Sequence, residues 1–350
     1  MIPLYKPFMP AELPELNSIL HSGALSYGKW GKEFENKVQD YLGVKRVLYT
    51  NTYGLAWQVL FKTIGLQAGD EVIATPMSCL QSTMPFAAAG LKVVWADVDP
   101  RYGCLDPESV KSRISPRTKL ISNYHFCGYP GYVDEINEIA REKGIMVVDD
   151  CIEAFGSKYK GKKLGNVGTP LTIFSFQTVR LPNTIDGGAL VFEDEELYQK
   201  ASIIRDLGVN RPIFRDEKGE ISPLCDVSLP AVTATPSDVN AYIGCCQMDI
   251  IDELLEKQAN NAMQWEKRLF DMPSLIDFLY RKEATPNYWI CGLLSSNKTA
   301  DMEMFRKSGY ACSSVHLPNT YYSVFGKQKM PTGVDEFYNR FIALPSGWWI

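Results

Sequence analysis

Residues able to do chemistry gather in one stretch, Met146 to Phe192, where each follows a short apolar run. Asp149 and Asp150 end the run that starts at Met146, and Ser175 lies at the end of a second run. Short apolar runs bounded by turn signals predict strands buried on both faces, and open α/β sheets bind ligands at the carboxyl ends of such strands. Asp150, Ser175 and the loop 177–188 are therefore predicted to line one crevice.

The surrounding chain alternates strand and helix signals. Apolar runs at 47–49, 72–74, 93–95, 120–121 and 146–148 are separated by segments with helical periodicity, at 55–64, 80–89, 107–114 and 132–143. This alternation predicts an α/β fold with a mainly parallel sheet, right-handed crossovers and helices on both faces.

A change of domain is predicted at residue 236. Thr235-Pro236-Ser237-Asp238 combines a hydroxyl cap, an early proline and an early acid, which together indicate a helix start. One long helix is expected from Val239 to about Phe270. The prediction is a large α/β domain with an N-terminal arm over 1–235 and a small C-terminal domain over 236–350.

Composition excludes several partners. The 350 residues include 36 basic and 41 acidic side chains, a net charge of −5 without a basic block, which argues against nucleic acid or an anionic membrane surface. No apolar run is long enough to span a membrane, and the N-terminus does not resemble a signal peptide, so a cytoplasmic location is expected. Nine cysteines without a C-x-x-C pair and only three histidines indicate reduced thiols and no metal site.

The order of motifs resembles the DegT/StrS-type sugar aminotransferases, which are fold-type I pyridoxal phosphate (PLP) enzymes acting on nucleotide-linked keto-sugars. The resemblance covers nearly the whole chain and rests on these segments: GLQAGDEVIATP (65–76), DVDPRYGCLDPES (97–109), SPRTKLISNYHFCGYPGYVDEI (115–136), VVDDCIEAFGSKYKGKKLGNVG (147–168), SFQTVRLPNTIDGGALV (175–191), DVNAYIGCCQMDIID (238–252) and the late SSVHLP and ALPSGWW. It implies a fold-type I aminotransferase fold, a PLP or PMP cofactor, a nucleotide-linked sugar as ligand and a homodimer. It also implies a role in nucleotide-sugar or surface-polysaccharide biosynthesis.

The resemblance assigns two cofactor contacts. Asp150, the second acid of VVDD, corresponds to the carboxylate that pairs with the pyridine nitrogen, although a strand-end acid also serves as a helix cap. Ser175 corresponds to the hydroxyl that helps to hold the cofactor phosphate. Gly187 and Gly188 either let the backbone pass close to the site or only form a turn.

By the resemblance, Arg180 stands where the family has its Schiff-base lysine, separated from the Ser175-Phe176 pair by three residues. A guanidinium stays protonated at physiological pH, so it can neither attack an aldehyde nor act as a base in the 1,3-proton shift. Ordinary transamination through lysine-linked PLP is therefore not expected, and binding of any cofactor is doubtful.

Other positions also depart from the family pattern. The Gly-Thr phosphate cradle is replaced by Tyr53-Gly54, and the aromatic residue that stacks on the cofactor ring falls near Cys79-Leu80. Glu153 replaces a glutamine or histidine near the ring hydroxyl. Asp206 replaces the asparagine that reaches the phosphate in the neighbouring subunit, where an acid weakens binding.

Three functions remain open at the level of sequence. A PMP-dependent sugar dehydratase would need another base, for which Glu153, His125 and His316 are the candidates. A non-catalytic sugar-nucleotide-binding or partner subunit would use Arg180 to pair with Asp150 or Glu153, or to bind a ligand's phosphate or carboxylate. An unrelated enzyme using the same crevice is the third, because fold does not fix function.

Overall fold

A seven-stranded mixed sheet forms the centre of the protein in the computed structural model, which describes residues 1–350. Its strand order is β1-β9-β8-β5-β4-β2-β3; β8, β5, β4, β2 and β3 are parallel neighbours, whereas β9 runs antiparallel to both β8 and β1. The strands of this sheet and of the two smaller sheets are β1 Val47–Thr50, β2 Glu71–Ala74, β3 Lys92–Trp95, β4 Thr118–Tyr124, β5 Met146–Cys151, β6 Lys158–Tyr159, β7 Lys162–Lys163, β8 Leu171–Ser175, β9 Gly188–Phe192, β10 Leu275–Phe278, β11 Ala284–Thr285, β12 Cys291–Ser295 and β13 Phe341–Leu344. The predicted α/β fold with a mainly parallel sheet is confirmed.

Helices cover both faces of this sheet, as the crossover connections require. They are α1 Leu16–His21, α2 Lys29–Leu42, α3 Tyr53–Ile64, α4 Leu80–Ala88, α5 Pro107–Arg113, α6 Val133–Lys143, α7 Glu195–Arg205, α8 Arg211–Phe214, α9 Asp238–Met248, α10 Ile251–Leu269, α11 Lys298–Lys307 and α12 Thr332–Arg340. Short 3₁₀ turns lie at Phe126–Gly128, Asn319–Tyr321 and Ser323–Phe325.

Alternation along β5 decides which face each functional side chain reaches. Val148 packs with residues of α3, α4 and α7, whereas Val147 packs with residues of α5 and α6. Because successive side chains of a strand point to opposite faces, Asp150 lies on the α3 side and Asp149 on the α6 side.

The expected long helix after residue 238 is wrong, because the structure has two helices there. α9 ends at Met248 and α10 begins at Ile251, with Ile250 in a non-helical conformation between them. The Gln247 side chain exchanges hydrogen bonds with backbone N–H and C=O of Asn183, at 3.0 and 2.9 Å. We attribute the break to this anchor, because α9 is tied to the loop after β8 while α10 turns toward the C-terminal sheet.

The C-terminal part builds a separate sheet of order β10-β12-β13, covered by α10 and α11 through Trp265 and Phe305. α9, in contrast, packs against α2 and shares a core with Phe34 and Val38. The division at 235/236 remains a prediction.

Candidate functional site

Asp150 forms a fully buried hydrogen-bonded pair with Tyr53. Asp150 ends β5, and Tyr53 occupies the first turn of α3, which Thr52 caps by accepting a hydrogen bond from the Leu55 N–H at 3.0 Å. The Tyr53 hydroxyl donates to Asp150 Oδ1 at 2.6 Å and lies 3.2 Å from Ser82 Oγ. One carboxylate oxygen of Asp150 is thus taken by a phenol of the protein itself, whereas the other, Oδ2, has no hydrogen-bond partner in the protein.

Gly188 allows α3 to begin close to the sheet. A Cβ built on this residue would lie 2.7 Å from the Tyr53 Cα and 3.0 Å from the Thr52 carbonyl oxygen, both of which are backbone atoms that cannot move aside independently. Of the two roles considered for the glycine pair, the structure supports close approach at Gly188.

Glu153 is the centre of a second buried cluster. Its Oε2 accepts hydrogen bonds from the Tyr124 hydroxyl at 2.6 Å and the Cys127 N–H at 3.1 Å. Its Oε1 lies 3.0 Å from His316 Nε2 and 3.4 Å from Arg180 Nη2. β5 ends at Cys151 and a turn follows, and this turn directs Glu153 into the crevice.

Arg180 is buried, with only 4% of its surface exposed, and takes Glu153 rather than Asp150 as its ionic partner. Its guanidinium carbon lies 4.4 Å from the ring centroid of Trp289, which in turn stacks on Tyr5 at 4.6 Å. Arg180 Nε and Nη1 have no hydrogen-bond partner in the protein. The guanidinium is thus held by one carboxylate and one aromatic face.

Burial and neighbouring charges shift the two acids in opposite directions. Burial raises the pKa of Asp150 to about 6, although the hydrogen bonds from Tyr53 and Ser82 oppose this rise. Burial also opposes ionisation of Glu153, but His316 and Arg180 outweigh it, so the pKa of Glu153 lies below its ordinary value. Burial together with Asp150 raises the pKa of Tyr53 well above its ordinary value, which keeps the phenol a proton donor.

The raised pKa of Asp150 predicts a measurable pH dependence of stability. The folded pKa of about 6 exceeds the unfolded value of about 3.9, so the folded state binds more protons between these values and Asp150 lowers stability as pH rises through this window. We expect Asp150→Asn to gain stability relative to the parent protein by on the order of 2 kcal/mol between pH 4.5 and pH 7.5. Urea unfolding of both proteins at the two pH values measures this difference. Parallel pH profiles would contradict the assignment.

The remaining predicted residues lie at varied distances from these clusters. Ser175 is buried at the end of β8 beside Gly188, and its Oγ accepts a long hydrogen bond, 3.4 Å, from the Gln177 N–H. Gly54 lines an open cleft of about 410 Å³ at the start of α3, and Leu80 begins α4. His125 does not join the crevice: its Nε2 lies 3.2 Å from Asp149 Oδ1, on the other face of the sheet, and its Nδ1 accepts from the Gly131 N–H.

Asp206 is neutralised within the chain. Its carboxylate lies 3.1 Å from Arg205 Nε and 3.3 Å from Arg211 Nε, and it accepts a hydrogen bond from Thr235 Oγ1 at 3.2 Å. A carboxylate with these partners has little capacity left to repel a phosphate.

The sequence did not identify Tyr124 and Trp289 as site residues. It pointed to Cys79 only as a neighbour of the position where the family has its stacking aromatic residue. Tyr124 ends β4, the sheet neighbour of β5, so the rule that ligands meet at strand ends could have identified it. Trp289 comes from the distant segment before β12 and has no local signal in the sequence.

No helix of the structure is both long and apolar enough to cross a membrane.

The sequence profile of the DegT/DnrJ/EryC1/StrS aminotransferase family matches residues 9–348. The spore coat polysaccharide biosynthesis protein SpsC of Bacillus subtilis is 26% identical, with 95% of this chain and 89% of SpsC covered.

Solved structures of sugar aminotransferases are also similar to this chain. The sugar aminotransferase CalS13 from Micromonospora echinospora superimposes with a TM-score of 0.93 at 27% identity, covering 100% of this chain and 96% of CalS13. DesI, solved in the presence of its TDP-sugar product, superimposes with a TM-score of 0.86 at 25% identity, covering 98% of this chain and 87% of DesI. On the strength of the match over nearly its whole length, this chain belongs to the DegT/DnrJ/EryC1/StrS aminotransferase family.

Proposed function

We propose that this protein is a sugar-nucleotide-binding or partner subunit of nucleotide-sugar or surface-polysaccharide biosynthesis that does not transaminate through lysine-linked PLP. One observation carries the proposal: the Tyr53 hydroxyl donates a 2.6 Å hydrogen bond to Asp150, the acid that would pair with the pyridine nitrogen. The chain itself thereby occupies one of the two oxygens of the carboxylate that the cofactor requires.

The residues present do not fit lysine-linked PLP at two further points. Arg180 contacts Glu153 and Trp289, and no lysine forms a hydrogen bond or ion pair with Asp150, Glu153 or Arg180. Leaving Glu153 buried without a cation would be costly, so Arg180 has a structural role there independent of any cofactor. Both acids of the crevice therefore have partners supplied by the protein.

A nucleotide-linked sugar is the ligand class that the relatives favour, since DesI was solved with its TDP-sugar product and CalS13 is a sugar aminotransferase.

A homodimer belongs to the same proposal. Several large apolar side chains of the segment 207–227 are more than 40% exposed in the single chain, as surfaces that associate in oligomers often are; they are Leu207, Ile213, Ile221, Leu224 and Val227. A cytoplasmic location also remains part of the proposal.

The experiment that tests the proposal is titration of the purified protein with PLP and with PMP, followed by absorbance, gel filtration and borohydride reduction. We expect no PLP to remain after gel filtration and no lysine to carry a reduced label. In parallel, calorimetry with UDP-linked and TDP-linked sugars should give saturable binding that UDP or TDP alone gives more weakly. A stoichiometric reduced label on one lysine would overturn the proposal, and so would the absence of binding by every nucleotide-linked sugar together with a monomeric mass.

A second candidate is a PMP-dependent dehydratase-like enzyme, which the pairing of His316 with Glu153 at 3.0 Å favours. A histidine hydrogen-bonded to a carboxylate can hold and pass a proton, so this pair supplies the base that Arg180 cannot. Saturable PMP binding, with loss of water from a nucleotide-linked sugar and loss of that activity in His316→Gln, would select this candidate over the first.

A further inference from the structure

A cluster of three different metal-ligand side chains lies in the crevice. Cys79 precedes α4, Glu153 lies in the turn after β5, and His316 comes from the loop before the 3₁₀ turn at Asn319–Tyr321. One ligand atom from each, a sulfur, an oxygen and a nitrogen, all lie within 4.8 Å of one another. Glu153 is completely buried, and the other two are partly buried.

Although the composition of the sequence indicated no metal site, we propose that Cys79, Glu153 and His316 form a binding site for one zinc-type divalent cation. Thiolate, imidazole and carboxylate together are the donor set of zinc, whereas magnesium and calcium take oxygen donors. Bonds of about 2.0–2.1 Å to nitrogen and oxygen at tetrahedral angles place these two ligand atoms roughly 3.3 Å apart. His316 Nε2 and Glu153 Oε1 are 3.0 Å apart, so small side-chain rotations suffice to admit the ion.

The geometry also leaves one coordination position open. Three protein ligands fill three tetrahedral positions, and a fourth remains for water or for a ligand oxygen, as in zinc sites that carry out chemistry. Tyr124 supplies the supporting shell, because its hydroxyl donates to Glu153 Oε2 at 2.6 Å and fixes the carboxylate orientation.

Charge favours a cation over an additional anion at this place. With His316 neutral, as a metal-binding imidazole must be, the buried set of Asp150, Glu153 and Arg180 carries one net negative charge when all three are ionised. A zinc ion with the Cys79 thiolate adds one positive charge and makes the set neutral, whereas a second anion would leave two negative charges in a low-dielectric crevice. Arg180 Nη2 lies 3.4 Å from Glu153 Oε1 and balances one of the two acids of this set.

The test uses the full-length protein, stripped of metal and titrated with Co²⁺ as a spectroscopic probe for Zn²⁺. We expect one equivalent to bind, with a thiolate-to-cobalt charge-transfer band in the near ultraviolet, and Zn²⁺ to displace it. Cys79→Ser should abolish that band, and His316→Gln should weaken Co²⁺ binding by at least about tenfold. Cys225→Ser and His21→Gln, which change a partly buried thiol and an exposed histidine away from the cluster, are the matched controls and should bind as the parent does.

Thermal unfolding of the metal-free variants checks that each substitution leaves the fold intact. A missing charge-transfer band in the parent protein overturns the proposal. Cobalt binding that is unchanged in Cys79→Ser, or lost equally in Cys225→Ser, also overturns it, since the ion would then be adventitious. This outcome can be told apart from that of the proposed function. A protein that binds zinc here could still fail to bind nucleotide-linked sugars, and a protein that binds those sugars could fail to bind zinc.

Discussion

Arg180→Lys alone will not produce a transaminase. The new amine would stand at the position that the resemblance assigns to the Schiff-base lysine, but three other features that the resemblance assigns to the cofactor site would still be missing. Tyr53 would continue to hold Asp150, Gly54 would provide no hydroxyl for the phosphate, and Leu80 would provide no aromatic face. We expect no absorbance band of lysine-linked PLP and no amino transfer from glutamate to a nucleotide-linked keto-sugar.

The measurement is absorbance with added PLP, borohydride reduction and peptide mapping of the label. Arg117→Lys, which introduces a lysine at an exposed position on the protein, is the control for nonspecific labelling. The combined variant Arg180→Lys, Tyr53→Gly, Gly54→Thr should bind PLP more tightly than Arg180→Lys, because it releases Asp150 and restores the phosphate cradle. Labelling of the lysine at position 180 in the single variant, with turnover, would show that Tyr53 does not block the site.

Arg180→Met should destabilise the protein by about 3 kcal/mol at pH 8, because it leaves Glu153 ionised and buried with a weaker set of partners. The loss should shrink at lower pH, since Glu153 without Arg180 can take up a proton instead. The double variant Arg180→Met, Glu153→Gln should recover most of the loss, because it removes the orphaned charge together with its partner.

Urea unfolding of Arg180→Met, of Glu153→Gln and of the double variant forms a double-mutant cycle. The cycle measures the coupling free energy between Arg180 and Glu153. Lys160→Met is the matched control, because it also breaks a lone ion pair, with Asp134, but both of those side chains are more than half exposed. Its effect should stay below about 1 kcal/mol. Equal losses in Arg180→Met and Lys160→Met would mean that burial gives the Arg180–Glu153 pair no special weight.

The fold does not depend on which side chains fill the crevice. The chain superimposes on the sugar aminotransferase CalS13 with a TM-score of 0.93. Because the fold is held by apolar contacts elsewhere, such as Val148 and Leu120 in the main core, polar substitutions at strand ends leave it intact.

The sequence by itself determined the architecture and one chemical fact. Apolar runs at fixed intervals specify the parallel strands, because strands buried on both faces need continuous hydrophobic stretches. The identity of residue 180 excludes a lysine Schiff base at that position in any conformation, since a guanidinium does not lose its proton at physiological pH.

Only the tertiary structure decided which groups meet. Tyr53 and Asp150 are joined because α3 begins directly over Gly188, and the sequence gives no sign that a phenol there would reach the carboxylate. Likewise, His316 and Cys79 reach Glu153 through the packing of distant loops, so their cluster cannot be read from any local spacing. Local pattern fixes which face a strand residue occupies, whereas contacts between segments far apart in the chain depend on how whole elements pack.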